Sequence, residues 1–217
     1  MAEPLAESID AGRIFGQNGS RVVALRNATC SIEPGARIAI VGPSGSGKST
    51  LLHLLAALDK PTSGVIRWPA LGDRDTLRPS KISFVFQSES LLAPLTVLEN
   101  IEVPLLLTEL DAESARAKAS EILAALDLEA LADKLPEEIS GGQAQRVAVA
   151  RSLVLGPALI LADEPTGQLD HATAAHLLDL IDRRLEGTGA ALVVATHDAF
   201  VAGRMQTQWT MEHGVLR

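Results

Sequence analysis

Nine consecutive residues, Gly42 to Thr50 with the sequence GPSGSGKST, combine the residue types that hold phosphate groups. Glycines let the backbone turn tightly and bring its N–H groups close to phosphate oxygens. Lys48 supplies a cation for the β- and γ-phosphates of a nucleotide, and the Ser49 hydroxyl is a ligand for Mg²⁺. The predicted nucleotide-binding residues of this phosphate loop (P-loop) are Gly42, Pro43, Ser44, Gly45, Ser46, Gly47, Lys48, Ser49 and Thr50.

The segments on either side of the P-loop support this interpretation. Arg37–Val41 is a short apolar run, typical of a buried strand in a parallel sheet. Lys48–Leu58 is a strong helix former, and the N-terminus of such a helix adds N–H groups and a favourable dipole to an anion site. The alternative is a Gly/Ser-rich loop with a stray lysine, but the flanking strand and helix favour the phosphate site.

Two carboxylates end a second apolar run, Ala158–Ala162. In P-loop ATPases an aspartate at such a strand end holds Mg²⁺ beside the P-loop serine, which predicts this role for Asp163. Glu164 is placed to orient or deprotonate an attacking water. The alternative is a pair of solvated charges in a turn before Pro165, which an acidic pair closing a buried strand makes less favourable.

The sequence SGGQ at Ser140–Gln143 predicts the start of a helix that runs to about Leu155. Ser140 fits the N-cap position and Gln143 the third helical position, the spacing of a capping box. The motif could be a cap and nothing more. Two consecutive glycines in a first turn, however, each cost about 1 kcal/mol relative to alanine. Their presence indicates that this turn must approach another group closely, and a helix N-terminus attracts anions.

Taken together, these motifs resemble those of the ATP-binding subunits of ABC transporters, and the resemblance covers nearly the whole chain. The matching segments are Gly42–Thr50 (Walker A), Gln87 after Ile82–Phe86 (Q-loop), Ile139–Gln143 (signature), Leu159–Asp163 with Glu164 (Walker B and catalytic glutamate), Gly167–Asp170 (D-loop) and Thr196–Asp198 after Ala191–Ala195 (H-loop). Within the family, the phrases Leu58–Gly64, Glu99–Leu107 and Asp163–Gly167 look most like the lipoprotein-release and macrolide-export branch.

The resemblance implies a mechanism that needs two copies of the chain. Two subunits would pack head to tail around two MgATP, each ATP being covered by the partner's signature motif. The implied roles are as follows: Glu164, His197 and Gln87 are catalytic; Ser49, Gln87 and Asp163 hold Mg²⁺; Ser140, Gly141, Gly142, Gln143 and Asp170 act on the partner's nucleotide. A separate integral membrane subunit would dock near Gln87 and Ser88–Leu107, which places the chain peripherally at the cytoplasmic face of the membrane.

The chain departs from the family pattern at several positions. Phe15 stands where the family usually has a tyrosine that stacks on adenine; the ring face is kept, so we expect Phe15 to bind the nucleotide base. Ile139 replaces the usual leucine, and Gln168 an asparagine typical of the branch. The stretch Trp68–Lys81 is shorter than usual. None of these changes removes a catalytic group.

Composition narrows the class of partner. A net charge of −8 and a sequence pI near 5.1 argue against a nucleic-acid-binding surface. The start of the chain is acidic and lacks the basic and apolar segments of a signal peptide, and no run approaches the ~18–20 apolar residues that span a bilayer. The single cysteine, Cys30, suits a reducing compartment and is expected to be a buried apolar filler rather than a reactive thiol.

The expected fold is α/β: a P-loop NTPase (RecA-like) core with a mostly parallel sheet, an antiparallel β edge subdomain and an inserted helical subdomain. We expect one ATPase domain over residues 1–217, with the β subdomain and P-loop core in 1–87, helices in 88–139 and the rest of the core in 140–217. The insertion has no heptad run. Relatives that act on DNA carry long coiled coils there, so this short insertion favours a transporter subunit; a soluble ABC-type ATPase acting on a non-membrane partner is the alternative function.

Overall fold

A computed structural model describes residues 2–16, 21–87 and 90–217 of the chain. Two residues of the predicted membrane-docking segment, Ser88 and Glu89, therefore lie outside the described residues. Over these ranges the strands are β1 (Ala6–Phe15), β2 (Val22–Ile32), β3 (Arg37–Val41), β4 (Ser63–Arg67), β5 (Ile82–Val85), β6 (Leu159–Asp163), β7 (Ala191–Thr196), β8 (Thr207–Glu212) and β9 (Val215–Leu216).

The strands form two sheets. The larger has the order β5-β6-β7-β3-β8-β9, and its first five strands are parallel. The smaller has the order β2-β1-β4 and is antiparallel. The predicted fold class, with a mostly parallel core and an antiparallel β subdomain, is confirmed. Cys30 lies in β2, and burial raises the pKa of its thiol to about 12, which agrees with a filler role.

Within residues 2–16, 21–87 and 90–217, six α-helices connect these strands. They are α1 (Lys48–Leu55), α2 (Val97–Leu106), α3 (Ala112–Ala125), α4 (Gly141–Leu153), α5 (His171–Leu185) and α6 (Ala199–Gly203), with short 3₁₀ helices at Arg74–Thr76, Glu129–Leu131 and Pro136–Glu138. Asp111 is the N-cap of α3, where its carboxylate accepts a hydrogen bond from the Ser114 N–H.

Two helices end earlier than predicted. Helix α1 stops at Leu55 instead of Leu58, because Ala57 adopts a left-handed conformation and the guanidinium groups of Arg74 and Arg78 donate to the carbonyls beyond the helix end. Those arginines belong to the short Trp68–Lys81 stretch. Helix α4 stops at Leu153, whose carbonyl accepts a hydrogen bond from the left-handed Gly156.

Hydrophobic side chains pack on both faces of the parallel sheet. Along β6, Leu159 and Leu161 belong to the core beneath α1, whereas Ile160 and Ala162 belong to the core beneath α2–α5. Burial on both faces explains the continuous apolar runs of these strands. No helix in the described ranges is both long and apolar enough to cross a membrane.

Strand order and register position the functional segments. Val41 pairs with Thr196, Asp163 with Ala195, and Val85 with Ala162. Because these strands are parallel, their carboxyl ends meet at one edge of the sheet, where ligands bind in open α/β folds. The P-loop, the two carboxylates, His197 and Gln87 each follow one of these strand ends.

Candidate functional site

One cleft at this sheet edge collects the predicted phosphate, metal and catalytic residues. Its lining consists of Ser44, Gly45, Lys48, Ser49, Gln87, Asp163, Glu164 and His197. We call it the P-loop cleft. The other predicted residues of the loop, Gly42, Pro43, Ser46, Gly47 and Thr50, lie in the same turn and at the start of α1.

The P-loop has the groups that an anion requires. Lys48 is 8% exposed, and its ammonium donates to the carbonyls of Gly42 (2.8 Å) and Pro43 (3.1 Å). Within the described part of the chain, no side chain caps α1, so the N–H groups of its first turn are open to a ligand. The buried Ser46 hydroxyl also has no hydrogen-bond partner there. These unpaired donors and the helix dipole fit a bound phosphate.

Gly47 is required by the backbone and by its neighbours. Its φ is 111°, and a Cβ atom there would overlap the carbonyl oxygen of Ala24. Gly35 also has a positive φ, 75°, but space around it is open. Gly47→Ala should therefore destabilise the protein by more than the 1–2 kcal/mol that left-handed strain costs an alanine, and should weaken ATP binding.

Urea unfolding and nucleotide titration of both variants test this expectation. Gly35→Ala is the control for the conformational strain and should lose roughly 1–2 kcal/mol of unfolding free energy without loss of ATP affinity. Equal effects of the two substitutions would contradict the close contact at Gly47.

Glu164 is held in a strained and nearly buried position. It is 7% exposed and has a φ of 49°, which is uncommon outside glycine. One carboxylate oxygen accepts from the Thr196 hydroxyl (3.1 Å), and the other lies 3.0 Å from the His197 N–H and 2.6 Å from His197 Nδ1. The His197 side chain is otherwise open to the cleft, with 72% exposure. The sequence interpretation placed Thr196 in the H-loop but did not predict its contact with Glu164.

The residues proposed for Mg²⁺ have suitable chemistry. The hydroxyl of Ser49, the carboxylate of Asp163 and the amide of Gln87 all border the P-loop cleft, and oxygen atoms are what Mg²⁺ prefers. Asp163 is 6% exposed at the end of β6. In the described residues no group of three or more His, Cys, Asp and Glu could hold a metal unaided. The set therefore fits an ion that is also held by phosphate and water.

The SGGQ motif lies on a different surface. Its neighbours there are Ser140, Gly141, Gly142, Gln143, Arg146, Gln168, Leu169, Asp170 and Thr173. We call this the signature surface; among the described residues it has no lining residue in common with the P-loop cleft. The predicted capping box is present, since the Ser140 hydroxyl accepts from the Gln143 N–H and the Gln143 side chain accepts from the Ser140 N–H.

Two other sequence-predicted residues have local partners. Asp170 is the N-cap of α5; its hydrogen bonds with the backbone and side chain of Thr173 lower the pKa of the carboxyl group. Phe15 ends β1 and is 40% exposed, and the Arg13 guanidinium lies 4.5 Å from its ring centroid. Arg13 is fixed in turn by Asp59 at 2.7 Å. Phe15 is not among the described residues that line the P-loop cleft.

Comparison with known proteins decides the family. The family model described as "ABC transporter" matches residues 25–167. The chain belongs to the ABC transporter family. It is an ATP-binding subunit and an ATPase of that family, as the motifs predicted.

The relatives agree with the predicted branch, and a solved structure agrees with the predicted fold. The chain is 40% identical to the lipoprotein-releasing system ATP-binding protein LolD of Bordetella pertussis, over 99% of this chain and 96% of that protein. It is 45% identical to the LolD protein of Legionella pneumophila, over 91% and 90%. The ATP-binding cassette MJ0796, solved as a dimer in a post-hydrolysis state bound to ADP and Pi, has a TM-score of 0.89 and 36% identity, covering 98% of this chain and 97% of that one.

Proposed function

We propose that two copies of this chain pack head to tail around two MgATP, the signature surface of each closing the P-loop cleft of the other. The observation that carries this proposal is the separation of the two surfaces on one chain. The N-terminus of the 13-residue helix α4 belongs to the signature surface, and its dipole favours an anion there. The dimeric state of the MJ0796 cassette supports the same arrangement.

Within this dimer, the described residues divide the work of hydrolysis. Lys48 and the first turn of α1 neutralise the β- and γ-phosphates, while Ser49, Asp163 and Gln87 hold Mg²⁺, which supplies further positive charge. A water attacks the γ-phosphorus, the bond between that phosphorus and the bridging oxygen of ADP breaks, and Glu164 accepts a proton of the water. His197 fixes the Glu164 carboxylate through Nδ1 and presents the rest of its ring to the cleft.

The dimer would drive a separate integral membrane subunit. The names of the relatives support lipoprotein release as the process, and a position at the cytoplasmic face of the membrane follows from it. The proposed docking region extends from Gln87 along 90–107, where Leu92, Leu106 and Leu107 are 44%, 50% and 71% exposed. Leu106 and Leu107 are adjacent in sequence and exposed, which suits them to contact with an apolar partner surface.

A double substitution tests the membrane partner. Leu106→Gln with Leu107→Gln should abolish co-purification of an integral membrane protein with the tagged chain, while ATP hydrolysis by the isolated chain stays unchanged. The matched control is Ile9→Gln with Val65→Gln, two exposed apolar residues paired between β1 and β4, which should retain the partner. Recovery of a soluble partner alone would favour the alternative function, an ATPase acting away from the membrane.

A further inference from the structure

Gln145, in the second turn of α4, bridges that helix to the segment that follows β6. Its side-chain Nε2 donates to the backbone carbonyl of Glu164 at 2.7 Å, and its Oε1 accepts from the backbone N–H of Gln168 at 2.9 Å. The residue is 8% exposed. Both ends of one buried amide are therefore committed to the backbone of the segment that follows β6, and water cannot readily replace either bond.

Gln145 contacts the backbone of Glu164, while other residues contact the Glu164 carboxylate. The backbone of Glu164 is held by Gln145 at its carbonyl and by Ala195 at its N–H, while its carboxylate is held by Thr196 and His197. A non-glycine residue keeps a left-handed backbone conformation only where several contacts hold it, and these contacts hold Glu164. The Glu164 carbonyl also accepts from the Gly167 N–H (3.1 Å), so loss of the shorter Gln145 bond would loosen the Glu164 backbone and misalign its side chain in the cleft without releasing it.

The other end of the bridge, Gln168, belongs to the signature surface. The Gln168 side chain packs on Gly141 so closely that a Cβ atom at Gly141 would overlap its amide oxygen. At Gly142, a Cβ atom would lie 2.9 Å from the Leu169 side chain. The start of α4 and the 168–169 backbone thus form one packed unit, and movement of the helix must move the Gln168 N–H that Gln145 binds.

A small cavity borders the Gln145 side chain. Gln87 from the Q-loop and the small residues Ala144 and Ala148 of α4 line it together with Gln145. Gln87 lines both this cavity and the P-loop cleft, so it separates Gln145 from the proposed nucleotide site.

We infer that Gln145 is a positioning residue that transmits contact at the signature surface to Glu164 of the same chain. The inference rests on the proposed head-to-tail dimer. In that dimer the nucleotide of one subunit presses on the partner's signature surface, and Gln145 of the partner then orients the partner's own Glu164. ATP in one site thereby controls hydrolysis in the other, and the coupling runs through two hydrogen bonds.

Gln145→Met keeps the side-chain length and removes both bonds. We expect kcat for ATP hydrolysis to fall about tenfold or more, because the orientation of Glu164 is lost. The Kd for ATP should not change, and the Hill coefficient for ATP should fall from about 2 towards 1, the value for uncoupled sites. Gln208→Met is the matched control. This exposed glutamine donates to the Ala202 carbonyl, six positions earlier and outside the P-loop cleft and the signature surface, so its loss should leave kcat and the Hill coefficient unchanged.

A second variant separates positioning from folding. Gln145→Glu keeps the acceptor for the Gln168 N–H but replaces the donor to the Glu164 carbonyl with an oxygen, so kcat and the Hill coefficient should fall as for methionine. A purely structural glutamine would lower the thermal midpoint and ATP affinity together with kcat, and leave the Hill coefficient unchanged. Wild-type kcat or an unchanged Hill coefficient in a folded variant overturns the inference.

Dimer formation distinguishes this inference from the function on which it rests. Glu164→Gln with Gln145→Met should still form an ATP-dependent dimer, because Gln145 acts after closure. Loss of the dimer only when Gln145→Met is added assigns Gln145 to closure and overturns the inference. Failure of Glu164→Gln alone to dimerise contradicts the head-to-tail arrangement itself, and the inference then falls with it.

Discussion

Glu164→Gln is expected to hydrolyse ATP at least about a hundredfold more slowly than the native chain while binding it, and to accumulate as an ATP-dependent dimer. Glutamine has the size of glutamate; its amide oxygen can accept from the His197 N–H, and its NH₂ group can donate to the Thr196 hydroxyl, so the local structure should survive. What it loses is the basic oxygen that takes a proton from water. ATP then stays intact between the subunits and continues to hold them together.

Phosphate release and size-exclusion chromatography with ATP and Mg²⁺ measure the two effects. Asp163→Asn is the matched control, because it removes one negative charge from the same cleft. If Asp163 holds Mg²⁺, that variant should lose hydrolysis through weakened MgATP binding and should not accumulate as a dimer. Native turnover in Glu164→Gln would disprove the assignment of Glu164 as the base. Dimer accumulation in both variants would show that charge removal alone closes the dimer.

Most of the P-loop cleft could be predicted because each of its motifs is contiguous in sequence and follows a strand. Once the strands are parallel and adjacent, Lys48, Asp163 and His197 must meet at one sheet edge. The fold class was predictable for the same reason: apolar runs of five or six residues alternating with helix signals require a parallel sheet covered on both faces.

Contacts between distant segments could not be predicted in this way. Gln145 reaches Glu164 across 19 positions, and Thr196 reaches it across 32. Neither residue carries a charge or a spacing that signals such a partner. The end of α1 was wrong for a related reason, since it depends on arginines that return to the helix from a later stretch of the chain.

Asp170 shows how a local interaction and a family role can coincide in one residue. The resemblance assigns it to the partner's nucleotide, while the structure uses its carboxylate to cap α5. The side chains of Gln168 and Leu169, which precede Asp170, pack against Gly141 and Gly142 at the start of α4. Because Asp170 is fixed at the start of α5 and the residues before it are packed on α4, it would meet the partner's nucleotide only together with the rest of the signature surface.

Ser140→Arg is expected to leave ATP binding by the single subunit intact and to prevent closure of the dimer. Ser140 is exposed at the N-cap of α4, on the face proposed to receive the partner's γ-phosphate. The arginine must therefore project from the signature surface and hold the partner's P-loop cleft away, so hydrolysis should fall about a hundredfold or more.

Ser140→Ala separates this steric effect from the loss of the cap. Alanine cannot accept from the Gln143 N–H, which should cost about 1 kcal/mol of stability, but it leaves the surface free to close. In the Glu164→Gln background, Ser140→Ala should therefore still dimerise with ATP, and Ser140→Arg should remain monomeric with an unchanged Kd for ATP. A dimer of normal stability with arginine at this position would mean that the signature surface does not face the partner's nucleotide. The P-loop cleft would then have to be completed by some other part of the chain.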